Sequence, residues 1–397
     1  LNPAMAANVH VRAGATGSNN GTDWTNAYTT LPATLTRGDT FYIADGTYAA
    51  YTFDDAVSGT TLITVKKATG ADHGTETGWQ ASYGDGTADF PKWTFSTGYW
   101  AIDGQVGSGV SGHGFRILME TGTFVKGIRF NGGFSNVTIA RVEVDGSAGS
   151  TSTSHDAIYD CCGAGGTNNV TLQYVWVHDP GRTTALSRGG DNWIVEYSVF
   201  QRPNANAGQH SEIWSLDGNN WVVRYNVFTD PISTGGLITS GTGYKVYGNI
   251  FTNTAANPSA SNNGIFGGWT NEPGGNHQFY NNTLVDLYNS QGRVFAVAGG
   301  TGSIAKNNLF FNVANYKNNA ATKSHNAFGA MGNPGEANQQ LLSNVGEDVF
   351  VTYGAVNWQT TDDLRLQVAT IAGDVSIGAE FNTDPDGTAR GADGTWD

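Results

Sequence analysis

The chain has little cysteine, little proline and little positive charge, and each shortage narrows the reading. Two cysteines among 397 residues exclude a disulfide-stapled scaffold. They are adjacent, Cys161-Cys162, and neighbouring Cα atoms lie about 3.8 Å apart, closer than an ordinary disulfide spans. The pair reads either as two small buried thiols or as a strained vicinal ring. Twenty Lys and Arg face 34 Asp and Glu, for a net charge of −14. Nucleic-acid binding wants a basic stripe, so this balance argues against such a partner. No apolar run approaches the roughly 18 residues of a membrane span. Ten prolines stand against 55 glycines, which suits many tight turns between short strands.

What the chain does have is an internal repeat. Asn226, Asn249, Asn282 and Asn308 each sit in a near-copy of one pattern, as in Trp221-Val222-Val223-Arg224-Tyr225-Asn226-Val227-Phe228. They are separated by 23, 33 and 26 residues. Earlier copies begin at Val137, Val170 and Trp193, and there the asparagine position holds Val142, Val175 and Ser198. A period of roughly 20–50 residues indicates a solenoid, and strand-only units indicate a parallel β-helix. Stacked coils place equivalent side chains about 4.8 Å apart, so the asparagines are expected to form a hydrogen-bonded ladder.

One domain is expected over residues 1–397. Residues 1–120 read as an N-terminal cap and first coils, 121–313 as regular coils, and 314–397 as last coils and a C-terminal cap, since solenoid ends need polar caps. Strands are expected at 40–43, 61–66, 93–95 and 115–119, a last one at 363–366, and a short helix over 24–35. The small residues of the opening Ala4-Met5-Ala6-Ala7 read as a remnant of a signal cleavage region, and a secreted, extracellular protein is expected.

Two stretches carry a resemblance. The opening Arg37-Gly38-Asp39-Thr40-Phe41-Tyr42-Ile43-Ala44-Asp45-Gly46-Thr47-Tyr48 and the closing Asp363-Leu364-Arg365-Leu366 with Ile377-Gly378-Ala379 resemble secreted right-handed parallel β-helix proteins of the pectate-lyase-like superfamily. The segment around Leu186-Ser187-Arg188-Gly189-Gly190-Asp191 is loosely similar to the arginine-bearing coil of the chondroitinase B and alginate lyase family. In that family a lysine from the preceding coil serves as base, whereas here that coil offers His178. The resemblance implies an all-β right-handed solenoid. The superfamily includes lyases, hydrolases, tailspikes and non-catalytic proteins, so fold alone does not give the activity.

A second strand precedes each asparagine unit. Aligning Ile158, Leu186, Ile213, Leu237, Ile265 and Val294 as inward residues turns their neighbours outward. The outward face then collects His155, Tyr159, His210, Glu212, Trp214 and Phe266, with Arg293 at the far end. Aromatic faces stack on sugar rings while polar groups orient them, so this face is the expected saccharide groove. Gln209-His210-Ser211-Glu212-Ile213-Trp214 is its densest segment, with His210 as proton-transfer group, Glu212 as acid, base or arginine partner, and Trp214 as platform. A second cluster, His178, Arg182 and Arg188, supplies cations for a uronate carboxylate; its plain alternative is a network of surface Arg–Asp pairs.

His155 and His210 lie two coils apart, about 9–10 Å, too far for one metal ion. No metal centre is therefore assigned. Calcium stays open because Asp145, Asp156, Asp160, Asp179 and Asp191 fall in turns. The expected activity is cleavage of an extracellular polysaccharide by β-elimination. The catalytic candidates are His210, Glu212, His155, Tyr159 and Arg188, and the binding candidates are Trp214, Arg293, Phe266, His178 and Arg182. A glycoside hydrolase using paired carboxylates, Glu212 with Asp156 or Asp160, and a non-catalytic carbohydrate-binding or tailspike-like protein are the alternatives.

Overall fold

The eight-residue repeat is not one strand but two, joined by a corner. In a computed structural model, Val222–Arg224 and Val227–Thr229 flank Tyr225 and Asn226, and Lys245–Tyr247 and Ile250–Thr252 flank Gly248 and Asn249. The residue before each asparagine adopts a left-handed conformation: φ is 57° at Tyr225, 64° at Gly248, 55° at Asn281 and 58° at Asn307. One residue at positive φ turns the chain sharply, and it is costly for all but glycine and asparagine. The tyrosines stay because packing holds them, with Tyr197 and Tyr225 rings 5.2 Å apart.

The structure describes residues 6–149, 151, 154–160, 165–203, 213–230, 237–239, 241–253, 266–267, 274–287, 295–296, 301–314, 316–353, 363–367, 370 and 373–390. Three parallel sheets run the length of the solenoid. Sheets I and II have 12 strands each, meet at the asparagine corner and lie before and after it; sheet III has 9 strands and precedes sheet I in each coil. This is a parallel β-helix. Every backbone amide in the middle of a sheet finds its partner one coil away, so no long edge is left open.

Inward columns are apolar because strand side chains alternate and every coil repeats the same register. Sheet II stacks Phe200, Phe228, Phe251, Leu284, Phe310 and Phe328, with Phe228 and Phe251 rings 4.9 Å apart. Offset aromatic stacking adds to the area these rings bury.

The corner asparagines are buried and bonded along the axis. Asn226 donates its side-chain amide to Asn249 Oδ1 at 3.0 Å, Asn249 to Asn282 at 3.0 Å, and Asn282 to Asn308 at 3.0 Å. The line continues through Asn326 to Glu336 Oε2. Asn326 was missed because its copy, starting at Thr322, keeps few apolar residues. Replacing Asn249 with Ala removes a donor to Asn282, Val223 O and Tyr247 O and an acceptor for Asn226. The expected cost is about 1–3 kcal/mol, read as an earlier denaturant midpoint.

One expectation needs correction. Residues 24–35 are not helical: Tyr28 bridges Val11, and Trp24 is fully buried beside Tyr42. Asp363–Leu366 is a strand, and it pairs antiparallel with Phe350–Thr352. Beyond residue 313, Thr322–Ser324, Ala327–Gly329 and Gln340–Leu341 continue sheets I and II. Farther on, residues 374–384 lie along the flank. Ile377 and Phe381 pack on Tyr225, Tyr247 and Tyr280, while Asp374 and Glu380 pair with Lys306 and Lys245. Cys161 and Cys162 lie outside the described residues.

Candidate functional site

Strand pairing on sheet III rewrites the expected groove. Ile158 pairs with Ala185, and Ala185 with Trp214, so the inward column is Ile158, Ala185 and Trp214. The sequence alignment had placed Leu186 and Ile213 there, one residue away. A one-residue slip exchanges the two faces of a strand. Trp214 is accordingly not a sugar platform: it is fully buried between Phe200 and Phe228, with ring centroids 4.7 and 5.2 Å away. The backbone of Phe266 pairs with Leu237 in the same column, not in the outward one. His210, Glu212 and Arg293 lie outside the described residues.

The true outward column brings Arg129 beside Tyr159 and Tyr159 beside Leu186. Arg129 is exposed and makes no ion pair among the described residues. Tyr159 is half-buried, and the Lys126 ammonium sits 4.4 Å from its ring centroid. Beneath them Asp156, fully buried, accepts from Lys126 Nζ, from Arg182 Nε at 2.8 Å and Nη2 at 3.1 Å, and from the Thr183 hydroxyl. Burial opposes the Asp156 charge, yet the two cations outweigh it and hold the carboxyl below its usual range. Burial loosens the proton of Lys126, with Arg182 and Arg129 adding to that effect and Asp156 opposing it.

This arrangement assigns roles the sequence could not. Lys126 also donates to Ser154 O and is almost completely enclosed, so it holds Tyr159 and Asp156 and does not reach a substrate. Arg182 is spent on Asp156 and leaves the open cationic role to Arg129. Arg188, at the edge of the same sheet, pairs with Asp217 at 2.8 Å and remains exposed. Lys126 and Arg129 lie on Lys126–Phe130, before Val137, where the first copy of the asparagine pattern begins; a search for its Ile128 and Phe130 alternation finds both.

Two further expectations change. His155 is fully buried, takes the Gly181 amide at Nδ1 over 3.1 Å and faces Glu120 O with Nε2 at 3.1 Å. Both nitrogens are therefore occupied and it is no proton shuttle. Asp156 and Asp160 are likewise buried, the latter accepting from Thr167 N and from Ser187 Oγ. Neither offers an open carboxylate for a paired-carboxylate hydrolase.

His178 belongs to sheet II, not to the groove. Its Nδ1 lies 2.8 Å from Asp179 and its Nε2 3.2 Å from Glu143, and Arg202 pairs with Asp179. The donor atoms of Glu143, Asp145 and His178 lie within 4.8 Å of one another, close enough for one cation. Two carboxylates at the imidazole already make it a double donor, however, so a metal would have to displace a proton from His178. Of the other calcium candidates, Asp191 accepts from Asn219. Burial disfavours the His178 charge, but hydrogen bonds to Asp179 and Glu143 raise its pKa above 6.5. Burial lowers that of His155. An NMR titration is expected to place His178 above free histidine and His155 below it. The His178 contribution to stability is complete below pH 6.5 and is lost as pH rises through its folded value.

No family model matches this sequence, and no curated protein matches it. Solved structures do resemble the chain. A PL6-family polysaccharide lyase from Pseudopedobacter saltans aligns with 12% identity over 85% of this chain and 93% of its own, at a TM-score of 0.44. Pectate lyase Pel9A aligns with 13% identity over 97% of this chain and 88% of its own, also at 0.44. The enzymatically active domain of bacteriophage CBA120 tailspike protein 2 gives 12% identity over 82% of this chain and 39% of its own, at 0.26. The fold assignment stands on the strand register itself. Among the described residues no helix is long and apolar enough to cross a membrane.

Proposed function

We propose that this protein is an extracellular polysaccharide lyase that cleaves a uronate-containing chain by β-elimination on the outer face of sheet III. The observation that carries this reading is the outward pairing of Arg129, which makes no ion pair among the described residues, with Tyr159 over the buried Lys126–Asp156–Arg182 network. Elimination needs three things: a cation on the uronate carboxylate, a base for the C5 proton and an acid for the departing O4. Arg129 meets the first, since a planar guanidinium binds a carboxylate bidentately. Arg188 serves the neighbouring sugar.

Tyr159 is the proton donor to the leaving oxygen. Lys126 sits over the face of its ring, and Asp156 fixes Lys126. The base is proposed to be His210, an imidazole suited to proton transfer, which lies outside the described residues. The C5–H and O4–C4 bonds break, C4=C5 forms, and the C5 proton passes to the base while Tyr159 protonates O4.

The test is a panel of uronic and neutral polysaccharides, following the ultraviolet absorbance of the new C4–C5 double bond. Uronate-dependent absorbance is expected. New reducing ends without that absorbance would turn the assignment to hydrolysis, and inactivity on every glycan would turn it to a binding protein.

A further inference from the structure

Phe124 combines properties that a folding chain does not need together in one residue. Its side chain is 76% exposed, the most of any large hydrophobic side chain among the described residues. Its backbone is left-handed, with φ at 62°, a conformation that strains a bulky residue and is usually left to glycine or asparagine. Its ring has no aromatic neighbour among the described residues, whereas the left-handed corner tyrosines are held by stacking, as in Tyr174 and Tyr197 with rings 5.1 Å apart. Burial gains nothing at Phe124, and no ring stacking offsets the strain. An observed strain of this kind is a pointer to a ligand.

The loop that carries Phe124 is pinned to the next coil at both ends. Glu120 O lies 3.1 Å from His155 Nε2, and Val125 O accepts from the Asp156 amide at 3.2 Å. Val125 packs against the core, while Phe124 beside it stands in solvent. Two residues after Phe124, Lys126 opens the strand that carries Arg129, with its ammonium 4.4 Å from the Tyr159 ring centroid. Phe124 therefore stands on the rim of the outer face of sheet III. A uronate ring carries its charge at one edge and C–H groups on its faces. Arg129 suits the edge, and an exposed phenyl ring suits a face. Trp214, expected as the platform, is buried and leaves that role open.

We infer that Phe124 is a sugar-stacking residue, packing on the C–H face of the uronate next to the one whose carboxylate Arg129 binds. This rests on the reading of sheet III as a uronate-binding face. Calorimetry with oligosaccharides of polygalacturonate, alginate and hyaluronan, in a Tyr159→Phe background that spares them from cleavage, tests it.

At least one oligosaccharide is expected to bind. Phe124→Gly should weaken it about 3–10-fold and Phe124→Tyr should not, since stacking is a modest term that a phenol ring keeps. Glycine accepts the left-handed backbone without strain, so the Phe124→Gly melting temperature should be unchanged or raised while affinity falls. In the otherwise native protein, KM for that polysaccharide should rise by a similar factor. Unchanged affinity in Phe124→Gly would overturn the inference. So would no binding of any uronate oligosaccharide, or a melting temperature that falls with the affinity, which marks a structural role. The lyase reading fails separately: binding weakened by Phe124→Gly, with no C4–C5 double bond formed by the native chain, keeps the stacking role and removes the elimination. Cleavage at the native KM in Phe124→Gly does the reverse.

Discussion

Tyr159→Phe is expected to lower the rate of polysaccharide cleavage by about 10²–10⁴-fold, the usual worth of a positioned proton-transfer group. The ring that packs against Lys126 survives the change, so the melting temperature should stay within about 1 kcal/mol equivalent of wild type. Loss should fall on kcat with little change in KM, because the phenol acts on the departing oxygen and not on the bound carboxylate. Arg129→Ala should instead raise KM most for uronate substrates. Full activity in Tyr159→Phe would remove the tyrosine from the mechanism and shift attention to His210 and Glu212.

Asp156→Ala should be the most damaging change to stability away from the apolar core. It leaves the Lys126 ammonium buried without its counter-charge, and breaking one side of a buried ion pair costs about 3–5 kcal/mol. Arg182 is less affected because its side chain is a quarter exposed and can turn to water. The same logic makes the double change Lys126→Met with Asp156→Leu recover most of the loss, since an apolar pair of similar volume avoids desolvating either charge. Denaturant midpoints for the two singles and the double check this. A double variant no better than Asp156→Ala would show that the network stabilises through its hydrogen bonds to Ser154 and Thr183 and not through charge balance.

The repeat was legible because a solenoid writes its geometry into the chain. Each coil must present the same apolar positions to the same core, so the spacing of Phe228, Phe251, Leu284 and Phe310 around the asparagines could be read directly. The asparagine corner was legible for a second reason: a buried turn must satisfy its backbone, and a carboxamide can accept from one coil and donate to the next. The aspartates expected in turns are less simply placed: Asp156 and Asp160 lie in the strand Asp156–Asp160, and Asp156 and Asp179 each meet an arginine.

Sheet III resisted the same reading. Its strands are short, three residues at Ala185–Ser187 and Trp214–Leu216. Period-two alternation cannot choose between the adjacent Ala185 and Leu186 as the inward residue, whereas Ser215 between Trp214 and Leu216 marks Trp214 as inward. The hydrogen-bond register decides it, and that register is set by strands many residues distant. The sequence determined by itself that the chain coils into a parallel β-helix with asparagines at one corner, because core repetition is a one-dimensional constraint. Only the tertiary structure decided which residues face outward on sheet III, because a slip of one residue costs nothing in the pattern and reverses every side chain in space.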